Sequence, residues 1–285
     1  MHFVFLFGIK QPMIFKGFWI TATAVTGGLL VLATSLLASR DSVAAEIAVT
    51  GGPRELLIAY RASSAADRPA FRQYLQGQGA ARLERLERDG VLKSYQILFN
   101  PFVQPSTWDA LAVLSFNRFT DTRRWQEIER TSPGGLSAAA LRLGKPVATY
   151  SADLEWDESA ADGGPAQDHV FYVIPYSYSS ADQYRKYVNG YVVPQVQGWI
   201  KEGVLSRYRI YMNRYPVGDP EPWDSLFVYE YRNLESFGRR DEISAKVREP
   251  LRADPVWKEW SDTKSSIRKE SENTIAELLA EGHQR

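Results

Sequence analysis

The apolar and polar positions beyond residue 54 run through one series of elements twice. Glu55 to Arg61 predicts a strand, and His169 to Tyr178 predicts its counterpart. Each is followed by side chains that favour helix N-caps: Ser63, Ser64 and Asp67, then Ser179, Ser180 and Asp182. Helices are expected next. In the second, Tyr184, Tyr187, Val188, Tyr191, Val192 and Trp199 fall near helical spacing. Pro194 should bend that helix, whereas Gly77 and Gly79 weaken the first. Gly90 and Gly203 are placed to end the two helices, where glycine relieves a left-handed cap.

Second strands are predicted from Val91 to Phe99 and from Val204 to Met212, and third strands from Asp109 to Phe116 and from Asp224 to Tyr231. Pro-containing loops separate them. Helices follow near Thr120 to Arg130 and Glu235 to Glu249, then shorter helical pieces over Leu136 to Leu143 and Asp254 to Lys269. Fourth strands are expected from Val147 to Trp156 and from Asn273 to Leu279. Each half therefore reads β-α-β-β-α-β, the ferredoxin-like pattern. The halves cover 46–156 and 168–285, and the polar, Gly- and Pro-containing stretch 157–167 reads as the linker.

The residues repeat along with the pattern. Asp89-Gly90-Val91-Leu92 recurs as Glu202-Gly203-Val204-Leu205, and Tyr95, Ile97 and Asn100 meet Tyr208, Ile210 and Asn213, all 113 residues apart. Arg72-Gln73-Tyr74 meets Arg185-Lys186-Tyr187 at the same spacing, and further on Trp108-Asp109 meets Trp223-Asp224. A colinear series of this length is a duplication.

With this duplication the chain resembles the dimeric α/β-barrel superfamily, in which two ferredoxin-like units set their four-stranded sheets face to face. Asp254-Pro255-Val256-Trp257 resembles the NIPSNAP-like and EthD-like members. The resemblance implies an α+β fold, an intramolecular barrel built from one chain. Tyr95, Ile97 and Phe99, with Tyr208, Ile210 and Met212, stay apolar in both copies and are assigned to the helix side. Ser94, Gln96 and Leu98, with Arg207, Arg209 and Tyr211, then face the barrel, where guanidinium groups need anions, carboxylates or water. Glu230 on a third strand can supply one partner.

Residues 1–45 read as an address. Gly17 to Ser39 is a run of 23 uncharged residues, preceded by Lys10 and Lys16 and followed by Ser42-Val43-Ala44. It predicts a signal peptide or an uncleaved membrane anchor, with the body outside the cytoplasm; contact with the membrane is expected only through 17–39. Met13 would make a more conventional start.

Lys+Arg and Asp+Glu are both 34, so no general electrostatic footprint for nucleic acid exists. Cysteine is absent, which excludes disulfides and thiolate chemistry. No zinc-protease, nucleophile-elbow, Walker or dinucleotide motif occurs. No metal is expected. The superfamily includes haem enzymes, quinol-type monooxygenases and simple binding proteins, so fold alone does not decide function. His169 reads as an exposed strand-start residue and maps onto no haem ligand, so no cofactor is expected, with haem left open. Asp153 with Glu155, the Arg82 to Arg88 run, and Asp241 with Glu242 read as solvated surface charge.

The leading expectation is an exported protein that binds a small aromatic or anionic molecule in the second half of the barrel. Arg209, Tyr211, Glu230, Tyr172 and Tyr176 are the candidate ligands. A cofactor-independent monooxygenase and a structural protein-interaction module are the alternatives.

Overall fold

The computed structural model describes residues 54–215 and 223–283. The address segment and its cleavage site lie outside the described residues. Nine strands form one antiparallel sheet: β1 Glu55–Ala62, β2 Ser94–Phe99, β3 Ala110–Ser115, β4 Gly144–Ser159, β5 Val170–Tyr178, β6 Leu205–Asn213, β7 Ser225–Tyr231, β8 Arg268–Glu270 and β9 Thr274–His283. Their order is β7-β6-β4-β1-β3-β2-β9-β5-β8, and pairing of β7 with β5 closes eight of them into a barrel. Closure removes the exposed sheet edges that each half would carry alone.

The closing contacts come from the last strand of each half. β4 pairs with β1 of its own half up to Ala152, then continues from Ala152 to Ser159 along β6 of the other half. β9 does the same in reverse, pairing with β5 over Thr274–Glu277 and with β2 over Glu277–His283. β4 therefore outruns its expected end at Trp156 and takes in Asp157, Glu158 and Ser159 from the stretch expected to be linker. The cause lies in its side chains. Asp153, Glu155 and Asp157 meet Arg214, Arg185 and Arg207 of the second half at 2.8, 2.6 and 2.6 Å. These carboxylates are partners of specific arginines, not free surface charge.

The helices repeat in detail. α1 (Arg68–Tyr74) leads through a π-helical turn at Leu75–Gly79 into α2 (Ala80–Arg88). α4 (Ala181–Tyr187) leads through a π-helical turn at Val188–Val192 into α5 (Val193–Lys201). Pro194 thus sits in the first turn of α5, where its missing N–H costs nothing, directly after the irregular turn. Ser64 and Ser180 cap the two helical runs. Gly90 (φ 69°) and Gly203 (φ 75°) end them in the left-handed region.

After β3 comes α3 (Thr122–Glu129); after β7 come α6 (Leu234–Gly238), α7 (Arg240–Leu251) and α8 (Pro255–Ile267). The helical piece expected over 136–143 is reduced to 3-10 turns. Asp254 caps α8 by accepting from the backbone of Val256 at 2.9 Å. Among the described residues no helix is long and apolar enough to cross a membrane.

Three apolar layers result. One packs the first half's helices on its strands, with Phe71, Tyr95, Ile97, Phe99 and Trp125. Another does so in the second half, with Tyr184, Tyr187, Tyr191, Tyr208, Ile210 and Met212. The third fills the barrel between the sheets, with Leu57, Leu98, Leu111, Phe171, Tyr211 and Leu226. The face assignment made from the repeat therefore holds for both second strands. The tyrosines that crowd the second half are mostly helix-side core, where each ring adds a large apolar area.

Candidate functional site

The two ends of the barrel differ in chemistry. At one end converge the starts of β1, β5 and β2 and the ends of β3 and β7. Arg209 Nη2 donates to Gln96 Oε1 at 2.7 Å and lies 3.5 Å from Glu230 Oε2. Its Nη1 is 3.4 Å from the Tyr211 hydroxyl. Glu230 Oε1 is 2.6 Å from His169 Nδ1, while His169 Nε2 lies 2.8 Å from the carbonyl oxygen of Gly163. Glu230 takes the Nδ1–H, while Nε2 faces both the Gly163 carbonyl and, at 3.2 Å, the Ser206 hydroxyl. The hydrogen bond to Glu230 accordingly raises its pKa, against the desolvation that lowers it. Glu55 completes the group: it accepts from Ser115 Oγ at 2.5 Å, and burial pushes its carboxyl up to about 7 against the pull of Ser115 and Arg209.

Arg209, Tyr211 and Glu230 are thus brought together inside the barrel, as the alternation of their strands required. Tyr172 and Tyr176 are not with them. Phe171 and Val173 take the inward positions of β5, so Tyr172 and Tyr176 face the helices. Tyr172 accepts from Asn273 at 2.6 Å and Tyr176 donates to Glu270 at 3.2 Å. His169 is also not an exposed strand start; it is 6% exposed, because its ring reaches inward to Glu230. The alternation places Gln96 on the barrel face, 113 residues from Arg209, but does not single it out as a site residue, and it gives no signal for Glu55.

At the opposite end a cavity of about 980 Å³ enters the barrel. Its apolar wall includes Leu111, Val173 and Leu226, and its aromatic wall Trp108, Tyr150 and Trp223. Tyr150 and Trp223 lie ring to ring at 4.8 Å. Trp108 and Trp223 are repeat mates, as are the aspartates that follow them. Asp109 accepts from the backbone of Ala62 at 2.8 Å, and Asp224 from that of Tyr178 at 2.9 Å. Each aspartate ties the end of one first strand, and each tryptophan then flanks the mouth. Arg61, Lys145 and Lys269 also line the cavity. A pseudo-twofold axis therefore runs along the barrel, from Gln96–Arg209 at the closed end to the two tryptophans at the open one.

The closed end is a charge network whose groups bond mainly to each other, with the buried Nε of Arg209 left without a partner. The open end is a cavity with an apolar and aromatic interior and charged residues in its lining, and it is where a small molecule can go. Haem ligation by histidine does not fit the described lining of this cavity. Among the described side chains no histidine faces the cavity, and His169 has both ring nitrogens engaged elsewhere.

No protein-family profile matches the chain, and no curated protein matches it. Solved structures do. A provisionally named monooxygenase from Lactobacillus acidophilus NCFM is 13% identical, with a TM-score of 0.51 over 82% of this chain and 97% of that one. A second provisionally named monooxygenase, from Fusobacterium nucleatum subsp. nucleatum, is 10% identical, with a TM-score of 0.50 over 82% of this chain and 95% of that one. These similarities show the fold, an α+β architecture with an eight-stranded antiparallel barrel, as in dimeric α/β-barrel proteins.

Proposed function

We propose that this protein is an exported small-molecule-binding barrel that takes a flat apolar ring system into the cavity between Trp108, Tyr150 and Trp223. The observation that carries the reading is the cavity itself. At about 980 Å³ it has the size of a drug-like ligand site, with an apolar and aromatic interior and a polar, charged rim. It also speaks against a purely structural module, whose barrel would be filled by side chains. The site differs from the one expected at Arg209: the ligand lies at the other end of the axis, and the Arg209 network is its closed floor.

Native mass spectrometry of the full chain, with an absorbance spectrum of the same sample, tests for a retained ligand. Titration with planar aromatic compounds, read by tryptophan fluorescence, tests the location. Trp108→Leu and Trp223→Leu should each weaken binding about tenfold, the loss of one stacking platform. Unchanged binding in both variants would remove the site. The export part is tested by an alkaline phosphatase fusion at the C-terminus, which is active only outside the cytoplasm.

A second reading, a cofactor-independent monooxygenase, is favoured by the fold shared with two provisionally named monooxygenases. Oxygen uptake with quinols or phenols would separate it from the binder. Kinship with NIPSNAP-like or EthD-like proteins rests on the Asp254–Trp257 run, which serves here as the cap of α8.

A further inference from the structure

Three cationic side chains line the cavity, and their placement is unusual. Arg61 on β1 and Lys145 on β4 stand directly opposite each other in the strand register. Both belong to the cavity lining, so their like charges face the same space. Such a pair is destabilising unless an anion lies nearby. Lys269 on β8 stands opposite Ser177 of β5. The aspartate ties show that Ala62 and Tyr178 are equivalent positions, and so therefore are Arg61 and Ser177. Lys145 and Lys269 are consequently related by the pseudo-twofold axis, one lysine from each half, as are the two tryptophans.

Both carboxylates of the lining are hydrogen-bonded. Glu270 accepts from Tyr176 and from Asn273, and lies 3.4 Å from Arg268. Glu272 accepts from Ser106, which orients it without neutralising it, so the lining sets three cationic side chains against one carboxylate that has no cationic partner. Arg61 donates through Nε to the carbonyl of Thr107 at 3.0 Å, which fixes its guanidinium without neutralising it. Among the described residues neither Lys145 nor Lys269 has an ion-pair partner. Lysine pairs with anions as a compact point charge, with little demand on geometry. A cavity lined by both tryptophans, with an ammonium group from each half that has no ion-pair partner, fits a ring with an acidic substituent.

We infer that the ligand is an aromatic acid, a planar ring system bearing a carboxylate, sulfonate or similar anionic group, with the ring in the cavity and the anion at Lys145, Lys269 and Arg61. The inference rests on the binding reading above and adds its chemical class. Two fluorescent probes with one skeleton separate them: 8-anilinonaphthalene-1-sulfonate and the neutral N-phenyl-1-naphthylamine, titrated against the full chain and against a Lys145→Met/Lys269→Met variant. The sulfonate should bind the full chain about tenfold more tightly than the neutral probe, as expected for two exposed charge contacts. The preference should shrink at high salt and vanish in the double variant, with affinity for the neutral probe unchanged within about twofold.

Equal binding of both probes, or a double variant that loses both together, would overturn the anionic class while leaving the cavity reading in place. If neither probe's signal responded to Trp108→Leu or Trp223→Leu, the cavity reading would fall, and the anionic class with it. Circular dichroism and thermal unfolding of the double variant check that it is folded; both substitutions are at exposed positions, where long side chains are replaced at little cost.

Discussion

Arg209 hydrogen-bonds Gln96 at 2.7 Å, and the two residues occupy the same position in the two halves of the duplication. They meet because that position lies on the axis relating the halves. Arg209 is buried and its charge is balanced by Glu230 at 3.5 Å. Glu230 also holds His169, so it is the carboxylate whose removal leaves Arg209 as an uncompensated buried charge, which costs about 3–5 kcal/mol. Glu230→Gln should therefore destabilise the protein by that amount in urea unfolding. Gln96→Met, which removes a neutral partner, should cost only about 1–3 kcal/mol. Equal losses would mean that the network is not organised around the carboxylate.

The closed end should make stability fall as pH rises. Glu55 has its carboxyl raised from 4.5 to about 7 in the folded state, so unfolding releases its proton between those values. Stability is highest below the unfolded value and declines until about pH 7. His169 acts in the same direction: its raised pKa contributes stability that is complete below the unfolded value and lost as pH climbs through the folded one. Thermal unfolding at pH 5.5 should exceed that at pH 8, and Glu55→Gln should flatten the lower part of the profile. A profile that rises from pH 5.5 to 8 would contradict both assignments.

The three ion pairs between β4 and the second half predict a salt-dependent contribution. Each is partly exposed, so each is worth about 0.2–1 kcal/mol. Asp153→Asn, Glu155→Gln and Asp157→Asn together should cost about 1–2 kcal/mol at low salt and little at high salt. A deficit independent of salt would point to packing instead.

Two glycines in the irregular helical turns should respond oppositely to alanine. A Cβ on Gly190 would lie 2.6 Å from Trp260 Nε1, so Gly190→Ala must displace α8 and should cost about 1–3 kcal/mol. Nothing lies within 4 Å of a Cβ on Gly77. Gly77→Ala should gain about 0.5–1 kcal/mol by restricting the unfolded chain. Parallel urea denaturation of both variants measures the difference.

The repeat made most of the fold legible. Colinear matches at one interval give the element order twice, and side chains that stay apolar in both copies fix which face of each second strand meets the helices. That is why the shared barrel location of Arg209, Tyr211 and Glu230 is readable from the repeat. Tyr172 and Tyr176 were misread because β5 is apolar on both faces, so alternation could not tell its inward Phe171 and Val173 from its outward tyrosines. The cavity was not legible at all. Its lysines come from the beginnings of the two fourth-strand segments, and only their register against β1 and β5 shows that they face one mouth. The buried state of His169 depends on Glu230, a contact across 61 residues that no local pattern encodes.

Two identical halves around an axis would offer any ligand that lacks twofold symmetry two poses of equal energy, related by a half-turn. The halves here are not identical at the mouth: Arg61 stands where the second half has Ser177. That one difference lifts the degeneracy, since an acidic group turned toward the first half meets a guanidinium and a lysine, and turned toward the second meets a lysine and a hydroxyl. A fused pair of copies can therefore orient a guest that a symmetric dimer could only hold both ways round.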